Sequence, residues 1–375
     1  MKNGIVIAHD KLIELGGSEV ILKILVNTLD PKYVITTAVR DKEKWESYLG
    51  VKIISPVLFK FIRTDFVFRL LYPLVCCLSK YLKYDINGNN IFIYSSTSVK
   101  HLSFYNYNRK ILYSNFPLKI LRDKAKYLGE RKAIIQHVLL FVYLFLTSKI
   151  ENATIKKFSN LHVISQDSKD AYIKYYPRKF NDANVGVIHL PVEKILKKRK
   201  RKRFVEGNSL RFLLISRLYN EKSVVPFLDE FISKIDGHSL RVIGTGPLLP
   251  KMIERYAGHN VNFLGFLDET TKDTELREAD ALIFPTKQEW SMTVIEANVR
   301  GLLCFMVNCP ASREINTIIS GSESTPNIIY DEHIKIASLI EDLNNGYDAL
   351  EKYKEKIDCY FSPKRFGVEL WRNLK

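Results

Sequence analysis

The sequence predicts two α/β domains, each built around a parallel β-sheet. Three observations support this. The chain has 375 residues, a length that suits two domains. Short β-branched runs alternate with helical patterns, which marks βαβ units. That alternation occurs twice, on either side of a strongly basic stretch.

In the first series, Gly4–Ala8, Tyr33–Val39, Val51–Ser55, Ile91–Ser95, Ile111–Ser114, Leu161–Ser165 and Val185–His189 read as strands. Residues 17–29 read as a helix, because apolar residues recur there at helical spacing. In the second series, the strands are Arg211–Ile215, Leu240–Gly244, Val261–Leu264, Ala281–Pro285, Leu303–Val307 and Asn327–Tyr330, with helices between them. The stretch between the series, Lys194–Arg203, carries eight basic residues in ten positions. Such a block repels itself and stays out of a core. A linker is therefore expected at 194–208, between an N-terminal domain at 1–193 and a C-terminal domain at 209–360. A last segment, 361–375, reads as a helix opened by Pro363, with Phe366, Leu370 and Trp371 as its docking stripe.

Composition narrows the class further. An apolar fraction of 46% rules out disorder, and 17 Gly with 13 Pro rule out collagen-like repeats. Five Cys without a CxxC pair argue against a disulfide scaffold and against zinc. Cys76, Cys77, Cys304 and Cys309 read as small core residues. The longest apolar run, Val138–Leu146, is about half a membrane span. The N-terminal apolar run is too short for a signal peptide. The expectation is a cytoplasmic protein, soluble or peripheral on a membrane. Residues 56–83 and 119–158 interleave Leu, Phe, Tyr and Ile with Lys and Arg. They read as long amphipathic helices that either face the core or sit on an anionic membrane or a lipid-linked substrate.

Four segments could carry chemistry. Gly16-Gly17-Ser18-Glu19 follows the first strand and opens a helix. Glycines there let the backbone approach an anion at the positive helix end, although a plain turn has the same sequence. Arg217 and Lys222 follow the first strand of the second series, on the rim where α/β sheets bind ligands. Two cations there neutralise a diphosphate, or are ordinary surface charge. Gly244-Thr245-Gly246-Pro247 is a structural turn or a ligand loop. Finally, Phe284–Asn298 passes from a strand into a helix, with Glu296 early in that helix. A carboxylate there accepts two hydrogen bonds from a ribose diol, or simply suits the first turns of a helix.

Together, and in this order, these segments resemble the retaining, GT-B-fold glycosyltransferases of group 1 that share an E-x(7)-E motif. The resemblance also covers His9-Asp10, Ser165-Gln166-Asp167-Ser168, Val187–Val192, Val261–Gly265 and Ala279-Asp280-Ala281. It implies two Rossmann-like domains facing an interdomain cleft, with the C-terminal helix returning to the first domain. It gives Arg217 and Lys222 to the diphosphate of a sugar nucleotide, Glu296 to the ribose, and the backbone of Trp290, Ser291, Met292 and Thr293 to the phosphate and donor sugar. Gly265 holds the base, Gly244 and Gly246 shape the site, and Gly16 and Gly17 meet the diphosphate. No metal or other cofactor is expected, since the cations replace it. The implied partners are a nucleotide sugar, a glycan or lipid-linked acceptor of surface polysaccharide or lipopolysaccharide assembly, and an anionic membrane.

Two positions depart from the family pattern. Gln288 stands eight residues before Glu296, where the family has Glu, and Glu289 is one position out of register. Asn115 follows the strand where many relatives have His, so it can bind a sugar hydroxyl but not titrate. The first departure keeps open a second function class, a non-catalytic binder of sugar nucleotide or membrane. Nucleic-acid binding is not expected, because the basic run has no interleaved aromatics and no nucleic-acid module is present.

Overall fold

The computed structural model describes residues 4–56, 60–64, 67–68, 71, 74–75, 78, 90–94, 110–115, 117, 134–158, 160–192, 204–205, 207–218, 224–234, 237–288, 290–323, 326–331 and 339–374. The chain divides into two compact units, one of Met1–Leu190 with Phe366–Lys375, the other of Pro191–Arg365. Lys194–Arg203, Lys222, Glu289, Cys76 and Cys77 lie outside the described residues, as do 119–133 and much of 56–83.

In the first unit, strands β1 (Ile5–Leu12), β2 (Tyr33–Val39), β3 (Ile53–Ile54), β4 (Asn90–Tyr94), β5 (Lys110–Ser114), β6 (Asn160–Val163) and β7 (Val185–Val187) form one sheet in the order β3-β2-β1-β4-β5-β6-β7. Every pairing is parallel. Helices α1 (Gly17–Leu29), α2 (Lys42–Leu49), α3 (Ile134–Ile155) and α4 (Gln166–Tyr175) belong to this unit. Parallel strands are covered on both faces, so they read as continuous apolar runs rather than alternating ones. Tyr33–Ala38 is buried throughout, as that rule requires. Val6, Ile35, Leu112, Leu161, Tyr172 and Phe180 share one core cluster.

The structure corrects several boundaries. The first strand, expected over Gly4–Ala8, runs on as β1 to Leu12 because pairing with β2 continues through His9↔Thr36, Lys11↔Ala38 and Leu12↔Val39. The strand expected over Leu161–Ser165 stops at Val163, since Ser165 instead caps α4 by accepting a hydrogen bond from Ser168 N. The one expected over Val51–Ser55 shrinks to Ile53–Ile54, a short strand paired with β2.

In the second unit, β8 (Arg211–Ile215), β9 (Ser239–Ile243), β10 (Val261–Gly265), β11 (Ala281–Phe284), β12 (Cys304–Val307) and β13 (Ile328–Tyr330) form a parallel sheet in the order β10-β9-β8-β11-β12-β13. Its helices are α5 (Val224–Lys234), α6 (Leu249–Arg255), α7 (Glu269–Glu278), α8 (Met292–Val299), α9 (Pro310–Ser320), α10 (Leu339–Lys352) and α11 (Lys354–Tyr360). Cys304 and Cys309 are buried, and burial pushes the Cys304 thiol well above its ordinary pKa.

The last helix, α12 (Pro363–Leu374), starts in the second unit and ends in the first. Phe366 and Leu370 are buried, and the Phe366 ring lies 5.9 Å from that of Tyr113 on β5. Gly367 packs so closely on α1 that an added Cβ would lie 2.6 Å from Thr28 Cγ2.

Candidate functional site

In each sheet, chain order reverses beside the central strand. Loops on either side of such a switch point open a crevice at the carboxyl ends of the strands. In the second unit the switch lies between β8 and β11. Arg217 follows β8, the 244–246 turn follows β9, Gly265 ends β10, and Gln288–Thr293 follow β11. Because these strands are parallel, all four segments leave the sheet at the same edge.

The first three segments are bonded together. Ser216 N donates to Ile243 O at 3.0 Å, Leu218 N to Thr245 O at 2.9 Å, and Gly244 N to Gly265 O at 2.8 Å. This explains the glycines. Gly244 has φ +140°, and a Cβ there would sit 1.9 Å from Ser216 O. A Cβ at Gly246 would sit 2.2 Å from Leu218 O. Both glycines are required by the backbone that flanks Arg217, so the structural reading of this turn is established. Arg217 itself is exposed between the buried Ser216 and Leu218.

After β11, Ser291 caps α8, its Oγ accepting from Val294 N at 3.3 Å. The helix itself offers no carbonyl partner to the N–H groups of Met292 and Thr293. Trp290 does not present its side chain outward: it is buried, with its ring 6.5 Å from that of Phe361. Gln288 Nε2 lies 3.5 Å from Thr286 Oγ1.

Glu296 lies one turn into α8 and faces α7. Its Oε2 is 3.2 Å from Lys272 Nζ, which also pairs with Glu269 Oε2 at 2.8 Å. Burial works against the Lys272 ammonium, but the Glu296 and Glu269 carboxylates win and hold its pKa above the ordinary value. Beside this pair, Arg300 donates to Asp273 Oδ1 at 2.7 Å and to the Glu296 carbonyl at 2.9 Å. Lys272, Asp273 and Arg300 were not singled out by sequence reasoning. Their signal is three-dimensional, since charges on a helix usually mark only a solvated face.

In the first unit the switch lies between β1 and β4. Gly16 and Gly17 follow β1, and Asn115 follows β5 on the same sheet edge. Inside the glycine loop, Glu19 is buried. Its Oε1 accepts from Ser18 Oγ at 2.7 Å and lies 3.4 Å from His9 Nε2. Burial pushes its carboxyl up, but His9 and Ser18 outweigh that and hold it below the usual range. A Cβ on Gly16 would come within 3.1 Å of Glu19 Oε2, whereas one on Gly17 would meet nothing within 4 Å. The carbonyl of Asn115 accepts from Ser168 Oγ at 2.6 Å, and Asn115 Oδ1 is shielded from solvent with no hydrogen-bond partner among the described residues.

Comparison with known proteins bears out the resemblance at the family level. Residues 197–357 match the family described as Glycosyl transferases group 1. No curated protein matches the chain. Among solved structures, HepE of Anabaena in complex with UDP and glucose aligns over 99% of both chains at 15% identity, with a TM-score of 0.68. Sucrose-phosphate synthase of Thermosynechococcus elongatus aligns over 99% of this chain and 98% of its own at 12% identity, with a TM-score of 0.73. The lipopolysaccharide outer core galactosyltransferase WaaB aligns over 97% and 98% at 15% identity, with a TM-score of 0.58. The fold is GT-B, with two Rossmann-like units in one chain.

Proposed function

We propose that this protein transfers a sugar from a nucleotide-diphosphate sugar to a glycan or lipid-linked acceptor, with retention of anomeric configuration, in the assembly of a cell-surface polysaccharide or lipopolysaccharide. The observation that carries this reading is the second sheet's switch-point edge. It bears an exposed arginine, one turn whose two glycines pack on backbone, a helix start and Glu296. In this reading the anomeric carbon becomes oxocarbenium-like while the departing diphosphate gathers negative charge. Arg217, Lys222 and the N-terminus of α8 supply positive charge against it. Glu296 takes the ribose hydroxyls, and the turn at Gly265 takes the base. The leaving phosphate accepts the acceptor's proton on the same face, so no side-chain nucleophile is needed. Gln288 contacts the donor sugar through neutral hydrogen bonds.

UDP, present in the Anabaena structure, is the first probe. Thermal melting with UDP, GDP and ADP is expected to show a rise with one of them, abolished in Arg217→Ala/Lys222→Ala. No rise with any of the three counts against the reading. Binding without transfer or donor hydrolysis would favour the non-catalytic alternative that Gln288 suggests. Turnover lost in Glu296→Ala would eliminate that alternative.

The acceptor side of the reading includes peripheral contact with an anionic membrane. Its support is α3, whose Thr147, Glu151 and Thr154 are buried while Phe141 and Phe145, at 62% and 52% exposure, and Val142 and Leu146 face outward. Lys149 Nζ lies 5.3 Å over the Phe145 ring. Among the described residues no helix is long and apolar enough to cross a membrane. Vesicles containing phosphatidylglycerol are expected to sediment the protein, and Phe141→Ser/Phe145→Ser to release it. Equal sedimentation of that variant would refute the α3 contact.

A further inference from the structure

The arrangement around Glu296 assigns a role to a residue that the reading above leaves unused. A carboxylate recognises a vicinal diol well when it is fixed in rotation and has an oxygen left to accept. Glu296 meets both conditions through α7. Lys272 Nζ holds Oε2 at 3.2 Å. Among the described residues, Oε1 carries no hydrogen bond. The Lys272 side chain is 16% exposed and that of Glu296 21%, so the pair is partly screened from water and stronger than a surface ion pair.

Lys272 is itself fixed. It sits in the first turn of α7, where its backbone N–H donates to Asp268 O at 2.9 Å and Glu269 holds the ammonium from a second side. Asp268 caps that helix by accepting from Thr271 N at 2.9 Å. Two ion-pair groups anchor the rest of α7 without Lys272. Glu275 binds Arg211 at 2.9 Å and Arg241 at 2.6 Å on the sheet, and Asp273 binds Arg300, the C-cap of α8. The seat of the helix therefore does not depend on Lys272, but the aim of the Glu296 carboxylate does.

We infer that Lys272 is a positioning residue for nucleotide recognition: its ammonium occupies Glu296 Oε2, keeps the carboxylate turned, and leaves Oε1 for the ribose hydroxyls of a nucleoside diphosphate. This rests on the nucleotide-sugar reading and deepens it. It requires that ribose recognition, not diphosphate recognition, be lost when the lysine is removed.

Calorimetric titration tests this with UDP, GDP and ADP, each paired with its 2′,3′-dideoxy form. For the base that binds, the wild type is expected to prefer the ribonucleotide by about tenfold or more, the worth of hydrogen bonds to a charged group. Lys272→Met is expected to cut that preference to about twofold while leaving dideoxy affinity unchanged within about twofold. Lys272→Arg, which keeps the charge and the donors, is expected to restore most of it, and Glu296→Gln to lose it. If Lys272→Met keeps the wild-type preference, or weakens both ligands equally as a merely structural residue would, the inference fails. If the wild type binds a diphosphate without ribose preference, the inference fails while the nucleotide reading stands. If it binds none of the three, both fail. Should Lys272→Met not fold, Lys272→Gln is read against the same criteria.

Discussion

Glycines in similar sequence contexts have different tasks here, and substitution separates them. Gly244 stands at φ +140° with the Ser216 carbonyl where its side chain would be. Gly244→Ala is expected to destabilise the second unit by more than about 3 kcal/mol, since both strain and overlap must be relieved. Gly17 has ordinary helical backbone and open space around it. Gly17→Ala is expected to change stability by less than about 1 kcal/mol, with any change favourable. Its effect is expected on transfer instead, with kcat/KM down about tenfold or more if ligand approaches the bare backbone. Denaturant melts of both variants beside a transfer assay check this, and a fully active Gly17→Ala would return that glycine to a plain turn. None of this difference was legible in the sequence. Gly-x-Gly after a strand admits either reading, and only the neighbouring carbonyl decides.

At the scale of elements, β6 and α7 show how burial tunes charge. His162 on β6 is buried, with its Nδ1 2.6 Å from where a Gly186 Cβ would stand, and burial lowers its pKa from 6.5 to about 4. The unfolded chain takes up a proton near pH 6.5 that the folded first unit refuses until about pH 4. More protons bound when unfolded means stability falls as pH falls, here by on the order of 3 kcal/mol across that window. The carboxyls of Glu19, Asp273 and Glu275, held below their ordinary values, pull the same way only at lower pH. Urea melts at pH 7 and pH 5 are expected to show the loss, and His162→Asn to flatten it. An unchanged slope in that variant would exclude His162 as the cause. The strands themselves were largely legible, because a parallel strand advertises itself as an apolar run. The boundary misses lay where strand pairing outlasts the apolar run, at His9, and where a serine leaves the strand to cap the next helix, at Ser165.

The whole molecule carries a formal charge of +16. At about 0.15 M salt the Debye length is about 8 Å, so only charges close to a surface contribute to attraction. If the α3 face meets anionic lipid, sedimentation is expected to weaken but persist at about 0.5 M salt, because the apolar side chains contribute without screening. Complete release by salt would assign the attraction to charge alone. Two parallel sheets joined in one chain were readable from the sequence because burial periodicity is a local property, repeated at every strand. So were the loops after β1 and those after β8, β9 and β11, since chain order along a parallel sheet puts such loops on one edge of their own sheet. The carbonyls filling the place of glycine side chains and the hold of Lys272 on Glu296 were decided by tertiary structure. Each depends on the distance between groups on separate elements, and no spacing along the chain encodes the packing that sets it.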